Sequence, residues 1–182
     1  NLTVEEIIER SSNVGTIKIV NNSNIDNVEE FLKKFGFGSR TGVELSGESK
    51  GSFTEYNTCK TCLSSLSIGY SINTTQYQMV KGYSIIANGG NDIQLSLLRN
   101  LDQNVNQKSI ISNDLSNRLK KLLINVVEGD NGTGKSLRMS DYVIGGKTGT
   151  SRTYLEGIGY SDKRFNTSFT GFIETNEGPI VG

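Results

Sequence analysis

The sequence predicts an α+β (mixed α/β) fold in a single domain over residues 1–182. Apolar residues recur at intervals of three and four positions in several segments before Gly129, as they do on the buried face of a helix. Short strand-like segments then follow near the carboxyl end. Helices that precede a few strands in this way are typical of a fold in which helices pack against one sheet.

Two short helices are predicted at the start of the chain. Thr3 and Glu6 have the spacing of a capping box, in which each side chain accepts the backbone N–H of the other residue. This helix is expected to end near Ser11, and a second one to cover Val14 to Val20. The break between the two helices should present Ser11 and Asn13 outward.

The next segments are a helix and a long connection. Asp26 is the predicted N-cap of a helix from Asn27 to Phe35, and Gly36 stands where a left-handed residue ends a helix. From Gly38 to Ser64 the chain is rich in glycine, serine, threonine and asparagine. This composition predicts a surface excursion.

Two longer helices are predicted in the second half. One starts within Ser71 to Thr74 and stops at Asn88-Gly89-Gly90, and the other carries leucines at helical spacing from Leu115 and ends at Gly129. Both patterns place their apolar residues on one face. These helices are therefore expected to cover the sheet.

Strands are predicted in three places. Ile93 to Leu98 is one, and the apolar run Tyr142-Val143-Ile144 begins another. Ser151 to Asn166 is expected to be a polar loop that leads to a last strand over Ser168 to Ile173.

Composition narrows the chemistry. Nineteen basic and nineteen acidic residues cancel, so nucleic acid and anionic membranes are not expected partners. The chain has no histidine, which excludes Ser-His-Asp and Cys-His catalysis and zinc sites built on imidazole. Proton transfer must then use lysine, carboxylates, tyrosine or hydroxyls. No metal site and no cofactor is predicted, and no apolar run approaches transmembrane length.

Cys59 and Cys62 are the two cysteines of the chain. Two sulfurs without histidine do not complete a zinc site. The polar residues before them do not resemble the strand-to-helix context of a thioredoxin-like redox pair. The pair is interpreted either as a local disulfide staple or as two free thiols.

The candidate site is organised around the segment from Gly145 to Thr150. Its glycines leave the backbone bare, so that a ligand or another strand can lie against it. In a strand, Lys147 and Gly149 share one face, while Thr148 and Thr150 share the other. A twist or bulge could gather the ammonium and the hydroxyls around a small anion. The alternative is a glycine-rich edge strand with a solvated lysine.

A second glycine-rich segment imitates a phosphate loop. Gly129 to Ser136 matches the pattern G-x-x-x-x-G-K-S letter for letter. That loop requires a buried strand before it and a long helix after it, whereas the leucines before Gly129 have helical spacing. A nucleotide site therefore remains a minor alternative, in which magnesium-dependent ATP binding would be lost on Lys135→Ala.

Two motifs together indicate a family. Ser11-Ser12-Asn13 and Lys147-Thr148-Gly149 match S-x-N and K-T-G, and the sequence resembles the penicillin-recognising serine transpeptidases. Within them it is similar to class B penicillin-binding proteins of the septal, cell-division type, since the elongation branch usually carries aspartate in the second motif. Further matching stretches follow the family's order: Leu66-Ser67-Ile68-Gly69-Tyr70, Thr74-Thr75-Gln76, Ala87-Asn88-Gly89-Gly90, Gly132-Thr133-Gly134 and Ser168-Phe169-Thr170-Gly171.

The resemblance implies a fold and a set of roles. The fold is an antiparallel sheet flanked by helices, truncated at both ends of this chain. Ser11, polarised by Lys147, would pass a proton to or from the amine, and the Asn13 amide would bind the acyl donor's backbone. Thr148 and Thr150, with Gly149 between them, would bind the terminal carboxylate of a D-alanyl-D-alanine stem peptide or of a β-lactam. The Thr150 N–H would form half of an oxyanion hole.

The chain departs from the family in one motif. No serine or threonine is followed three positions later by lysine, so S-x-x-K is missing from residues 1–182. The expected activity is therefore D,D-transpeptidation with the acylating serine outside this chain, on the extracytoplasmic side of a bacterial membrane. Expected partners are the missing part of the domain and other division proteins. The alternative is a non-catalytic binder of stem peptides or β-lactams.

Overall fold

The structure is a computed structural model that describes residues 1–23, 28–53, 61–98, 108–157 and 159–182. Its helices are α1 (Val4–Glu9), α2 (Asn13–Asn22), α3 (Val28–Lys34), α4 (Cys62–Ser67), α5 (Gln76–Ala87) and α6 (Asn113–Glu128), with a 3-10 turn at Lys135–Leu137. Its strands are β1 (Ser52–Phe53), β2 (Ile72–Asn73), β3 (Val143–Leu155), β4 (Gly159–Glu174) and β5 (Ile180–Val181). All their pairings are antiparallel, in the orders β1-β2 and β3-β4-β5.

The first two helices confirm the prediction. The Thr3 N–H donates to Glu6 Oε2 at 2.8 Å, and the Glu6 N–H donates to Thr3 Oγ1 at 3.2 Å, which completes the capping box of α1. Ser11 has a φ of 55°, in the left-handed region, and it breaks the helix. Ser12 then caps α2 by accepting the Gly15 N–H at 3.2 Å. The break therefore lies where the sequence predicted it.

The two longer helices are also present, although α5 begins later than predicted. Its N-cap is Thr75, which forms a capping box with Gln78. The predicted start fell on residues that pair instead with β1, in the register Phe53↔Ile72. Helix α6 begins after its N-cap Ser112 and ends at Gly129, as predicted.

The predicted strand at Ile93 to Leu98 is wrong, because the described residues there do not join a sheet. The Glu44 carboxylate holds this segment: it accepts the Ser96 hydroxyl at 2.6 Å and the Leu97 N–H at 2.8 Å. A side-chain acceptor has replaced the backbone ladder that a strand would need.

The prediction of a surface excursion from Gly38 to Ser64 is wrong in part. Thr41 and Val43 are buried, and the segment contains β1 and the start of α4. The fully buried Gln78 holds it, because its Nε2 donates to Ser39 O and to Lys50 O at 2.8 Å each. The predicted N-cap Asp26 lies outside the described residues.

The predicted polar loop from Ser151 to Asn166 is also wrong, because β3 and β4 continue through it as a long hairpin. Their pairing runs from Ser151↔Asn166 to Leu155↔Gly159, with one irregularity between Arg152 and Tyr154. Tyr154 packs edge-on against Tyr160 at 5.4 Å. The strand residues are polar in this outer part of the hairpin, from Ser151 to Asn166, because most of their side chains are exposed rather than packed under the helices.

The sheet packs on α5 and α6 through one aromatic ring. Phe172 of β4 is 1% exposed and clusters with Ala87 of α5 and Leu123 of α6. On β3, a side chain at Gly145 would collide with that ring. The Phe172 ring therefore sets how closely the strand that carries Lys147 lies to the helices. None of the helices in the described ranges has the length and apolar composition needed to cross a bilayer.

We expect Phe172→Ala to lower the free energy of unfolding by about 3–5 kcal/mol, because it empties the centre of this cluster. Phe165→Ala, on the same strand but with 51% of the residue exposed, is the matched control and should cost less than about 1 kcal/mol. Urea denaturation of both variants measures the difference. Equal losses would contradict the assignment of Phe172 to the centre of the core.

Candidate active site

The two predicted motifs meet in space. Ser11, at the end of α1, lies opposite Lys147 of β3, and Lys147 Nζ donates a hydrogen bond to Ser11 Oγ at 2.8 Å. The two residues are 136 positions apart in the chain. The left-handed conformation of Ser11 turns the chain out of α1 at this point. Folding thus joins the S-x-N segment to the K-T-G strand.

Lys147 lies in a partly desolvated environment. Its Nζ also donates to Thr148 O at 3.0 Å and contacts Thr148 Oγ1 at 3.4 Å. Burial lowers the pKa of the Lys147 ammonium below its ordinary value. None of the ion pairs found among the described residues includes Lys147. Neutral oxygens therefore hold this charge, and the site retains positive potential for an anionic ligand.

Thr148 has a hydroxyl partner that the sequence analysis did not assign to the site. Thr133 Oγ1 lies 2.6 Å from Thr148 Oγ1, so one of the two hydroxyls donates to the other. Thr133 stands between Gly132 and Gly134, in the segment that imitates a phosphate loop. The signal that could have found it is a lone hydroxyl residue flanked by glycines just before the strand.

The other predicted residues are neighbours in sequence of the two that meet: Asn13 follows Ser11 by two positions, and Gly149 and Thr150 continue the strand of Lys147. Asn13 is the first residue of α2 and is exposed, and its side chain has no hydrogen bond to the described part of the protein. Gly149 and Thr150 pair with Ser168 and Thr167 of β4. A side chain at Gly149 would collide with Ser168 Oγ. In the described sheet β3 is an edge strand, so some of its backbone donors face away from β4.

A cavity of about 500 Å³ opens beside this strand. Gly149, Thr150 and Ser151 line it together with residues from the α4–β2 segment, including Leu66 and Tyr70. A lining that combines polar strand residues with apolar side chains is the usual character of a small-molecule pocket. The candidate ligand site therefore has room for a substituent beyond the hydroxyl and ammonium groups.

The phosphate-loop alternative lacks its structural context. Gly129 to Ser136 follows helix α6 instead of a strand, and it ends in a three-residue 3-10 turn, Lys135–Leu137, instead of a long helix. Lys135 Nζ donates to the carbonyl of Asp130 within the same loop. The segment lacks the strand and the multi-turn helix that cradle a nucleotide phosphate.

The described residues include neither a cluster of metal ligands nor a free thiol. No group of three histidine, cysteine, aspartate or glutamate residues in the described ranges could hold a metal ion. Cys62 is disulfide-bonded, while Cys59 lies outside the described residues. The described residues bring to this site one ammonium, hydroxyls, an amide and backbone donors.

The comparison with protein families agrees with the geometry. The model of the "Penicillin binding protein transpeptidase domain" matches residues 1–181. The chain is 29% identical over 181 residues to "Probable peptidoglycan D,D-transpeptidase PbpC" of Pseudomonas aeruginosa. The alignment covers 99% of this chain and 32% of that protein. It is 26% identical over 191 residues to "Stage V sporulation protein D" of Bacillus subtilis, with 98% and 29% covered.

Solved structures share the fold. The apo transpeptidase domain of penicillin-binding protein 3 from Burkholderia pseudomallei superposes with a TM-score of 0.87 at 24% identity, over 99% of this chain and 54% of that one. Penicillin-binding protein 3 of Mycobacterium tuberculosis, complexed with ampicillin, superposes with a TM-score of 0.85 at 28% identity. The superposition covers 98% of this chain and 43% of that one. The fold is thus the mixed α/β transpeptidase fold. The chain spans about a third of the length of the curated relatives it matches.

We expect the stability of the protein to depend on pH through Lys147. Because burial lowers its pKa in the folded state, the unfolded chain binds more protons there, and stability rises as pH increases from the lowered pKa towards the ordinary one. Lys147→Met has no ammonium and therefore lacks the cost of burying that charge at neutral pH. Its free energy of unfolding should therefore exceed that of the wild type most at neutral pH, with the gap narrowing in alkali.

Urea denaturation at neutral and alkaline pH measures that gap. Lys121→Met, on an exposed position of α6, is the matched control, and its difference from the wild type should stay constant with pH. A Lys147→Met gap that is absent at neutral pH would contradict the desolvation of Lys147.

Proposed function

The chain belongs to the penicillin-binding protein transpeptidase domain family, and we propose from this membership that residues 1–182 form part of the transpeptidase domain of a septal class B penicillin-binding protein. The complete protein would be a peptidoglycan D,D-transpeptidase. The observation that supports this most is the hydrogen bond between Lys147 Nζ and Ser11 Oγ. It links the two motifs whose residues the reaction needs in one place.

The proposed reaction is acyl transfer in two steps. A serine hydroxyl attacks the carbonyl of the penultimate D-alanine of a stem peptide, an ester forms, and the terminal D-alanine leaves as an amine that has gained a proton. The amine of a second stem peptide then attacks the ester, loses a proton and releases the serine. Each step needs a group that can deliver or accept a proton at the nitrogen.

Ser11 and Lys147 would form the proton relay at that nitrogen. The Ser11 hydroxyl accepts a hydrogen bond from the ammonium, which leaves its own proton available to the departing amine. The ammonium charge stabilises the oxyanion-like state of the hydroxyl while the proton is in transit. In this proposal the relay performs the proton transfer that histidine supplies in serine hydrolases, and residues 1–182 contain no histidine.

The strand and α2 would hold the substrate. Thr148 Oγ1 lies 3.4 Å from the Lys147 ammonium. With the hydroxyl of Thr150, two residues further along the strand, it would bind the terminal carboxylate of D-alanyl-D-alanine or the carboxylate of a β-lactam. Gly149 keeps the space between them free of a side chain. The unpaired Asn13 amide would bind the donor's backbone, and the Thr150 N–H would be one half of the oxyanion hole.

The acylating serine would lie outside residues 1–182. Among the serines and threonines of this chain, none has a lysine three positions later. We therefore assign the nucleophile to a segment that is not in this sequence or to another chain. The non-catalytic alternative, a stem-peptide or β-lactam binder, rests on the same missing motif. It predicts reversible binding without acylation.

The proposal includes a location and partners. A domain that cross-links peptidoglycan stems would act on the extracytoplasmic face of the bacterial inner membrane. Its partners would be stem peptides, β-lactams, the remainder of the transpeptidase domain and other division proteins. No cofactor, metal or nucleic acid takes part in the proposed reaction.

Fluorescent penicillin tests this function. The protein at its full natural length should become covalently labelled, whereas residues 1–182 alone should not, because they lack the nucleophile motif. Labelling of residues 1–182 alone would place the nucleophile inside this chain. Failure of the full-length protein to be labelled would remove the transpeptidase proposal.

Within the full-length protein, Lys147→Ala should slow acylation by about 100-fold or more, which is the loss typical for a group that stabilises charge in acyl transfer. The matched control is Lys121→Ala on the surface of α6, which should acylate at the wild-type rate. Stopped-flow or gel-based labelling at several penicillin concentrations measures both rates. A Lys147→Ala rate within a factor of about two of wild type would contradict the role.

A further inference from the structure

We propose that Glu9 is a positioning residue for the carboxylate-binding hydroxyls, through the connection Gly129–Gly134 between α6 and β3, which we term the glycine loop. This inference rests on the proposed function, because it concerns how the same site recognises a ligand carboxylate. Glu9 does not touch the ligand in this account. It fixes the loop that sets Thr133 against Thr148.

The contact that carries the proposal is a single hydrogen bond across the chain. Glu9 Oε1 accepts the backbone N–H of Asn131 at 2.9 Å, and the two residues are 122 positions apart. Glu9 is the last residue of α1, two positions before Ser11. The helix that ends at the proton relay therefore also holds the tip of the glycine loop.

The loop is built around that carboxylate. A side chain at Gly129 would collide with Glu9 Oε1, so the glycine leaves the space that the carboxylate occupies. A side chain at Gly132 would collide with the carbonyl of Val126, and the Gly134 N–H donates to that same carbonyl at 2.9 Å. The loop thus follows a narrow path against the end of α6.

The base of the loop has its own anchor. Arg138 donates to the carbonyls of Val127, Glu128 and Gly129 at 2.8, 2.5 and 2.8 Å, which satisfies the free end of α6. These bonds lie before the loop's tip and do not involve Asn131. The neighbouring residues have bonds of their own, from Lys135 Nζ to the Asp130 carbonyl and from the Gly134 N–H to the Val126 carbonyl. Removing the Glu9 carboxylate should therefore loosen the tip at Asn131 while the base and α6 remain in place.

Three hydrogen bonds between distant parts of the chain surround the site. Glu9 holds Asn131, Thr133 lies 2.6 Å from Thr148, and Lys147 holds Ser11. Thr133 fixes which way the Thr148 hydroxyl points, because one of the two must donate to the other. When Glu9 no longer holds the tip, Thr133 no longer fixes the orientation of the Thr148 hydroxyl. Carboxylate binding then costs more conformational entropy, while the Lys147–Ser11 hydrogen bond is unchanged.

The test compares ligands with and without the carboxylate in the full-length protein. The probes are a D-alanyl-D-alanine stem-peptide mimic with a free C-terminal acid and the same peptide as its amide, and the readout is kcat/KM for release of the terminal residue. Glu9→Ala should lower kcat/KM for the acid by about tenfold, mainly through KM. The amide should change by less than about twofold.

Two variants control for charge and for helix damage. Glu9→Gln keeps an Oε1 acceptor for the Asn131 N–H and should remain within about threefold of wild type. Glu5→Ala removes an exposed carboxylate from the same helix and should leave both peptides unaffected. If Glu9→Ala fails to fold, Glu9→Asp, which is one methylene too short to reach Asn131, takes its place.

A double-mutant cycle separates positioning from a general effect. If Glu9 acts through the hydroxyl of Thr133, then Glu9→Ala combined with Thr133→Val should be no slower on the acid than Thr133→Val alone. Multiplying losses, equal losses on acid and amide, or no loss in Glu9→Ala would each overturn the assignment of Glu9. A wild-type protein that neither turns over the acid nor is acylated by penicillin would instead refute the proposed function.

Discussion

The hydrogen bond from Lys147 to Ser11 is the interaction on which the rest of the site depends. It joins the end of α1 to the middle of β3 and thereby brings the S-x-N and K-T-G segments into one groove. The bond holds a half-buried ammonium that has oxygens but no carboxylate around it among the described residues. Such a charge costs stability, and in the proposed function it binds the carboxylate of the ligand and supports proton transfer through Ser11.

The fold supplies the precision that this bond needs. Phe172 fills the space between the sheet and helices α5 and α6, and the bare backbone at Gly145 lets the K-T-G strand lie directly against that ring. On the other side, Ser11 lies between two helices with capped starts: Thr3 caps α1 and Ser12 caps α2. Two packed elements therefore meet at the Lys147–Ser11 hydrogen bond, and the glycine loop contacts the K-T-G strand through Thr133.

The elements with local signals were predicted well, and those set by distant contacts were not. The capping box of α1 and the glycine that ends α6 act within a few residues, so their letters are enough. The strand expected at Ile93 to Leu98 failed because Glu44, far back in the chain, takes its backbone donor. The outer part of the β3–β4 hairpin has the sequence pattern of a loop. Its β4 side chains are mostly exposed on both faces, so apolar and polar residues do not alternate along it.

The residues of the site also fall into those with a local sequence signal and those that depend on distant contacts. Ser11 and Lys147 could be predicted as neighbours because their motifs indicate the chemistry, whereas the contacts of Thr133 and Glu9 join residues that only folding brings together. The most direct measurement on the central claim is a double-mutant cycle of penicillin acylation with Ser11→Ala and Lys147→Met in the full-length protein. If the two residues form one relay, the double variant acylates as slowly as the slower single variant. If their losses multiply, they act independently, and the relay does not exist.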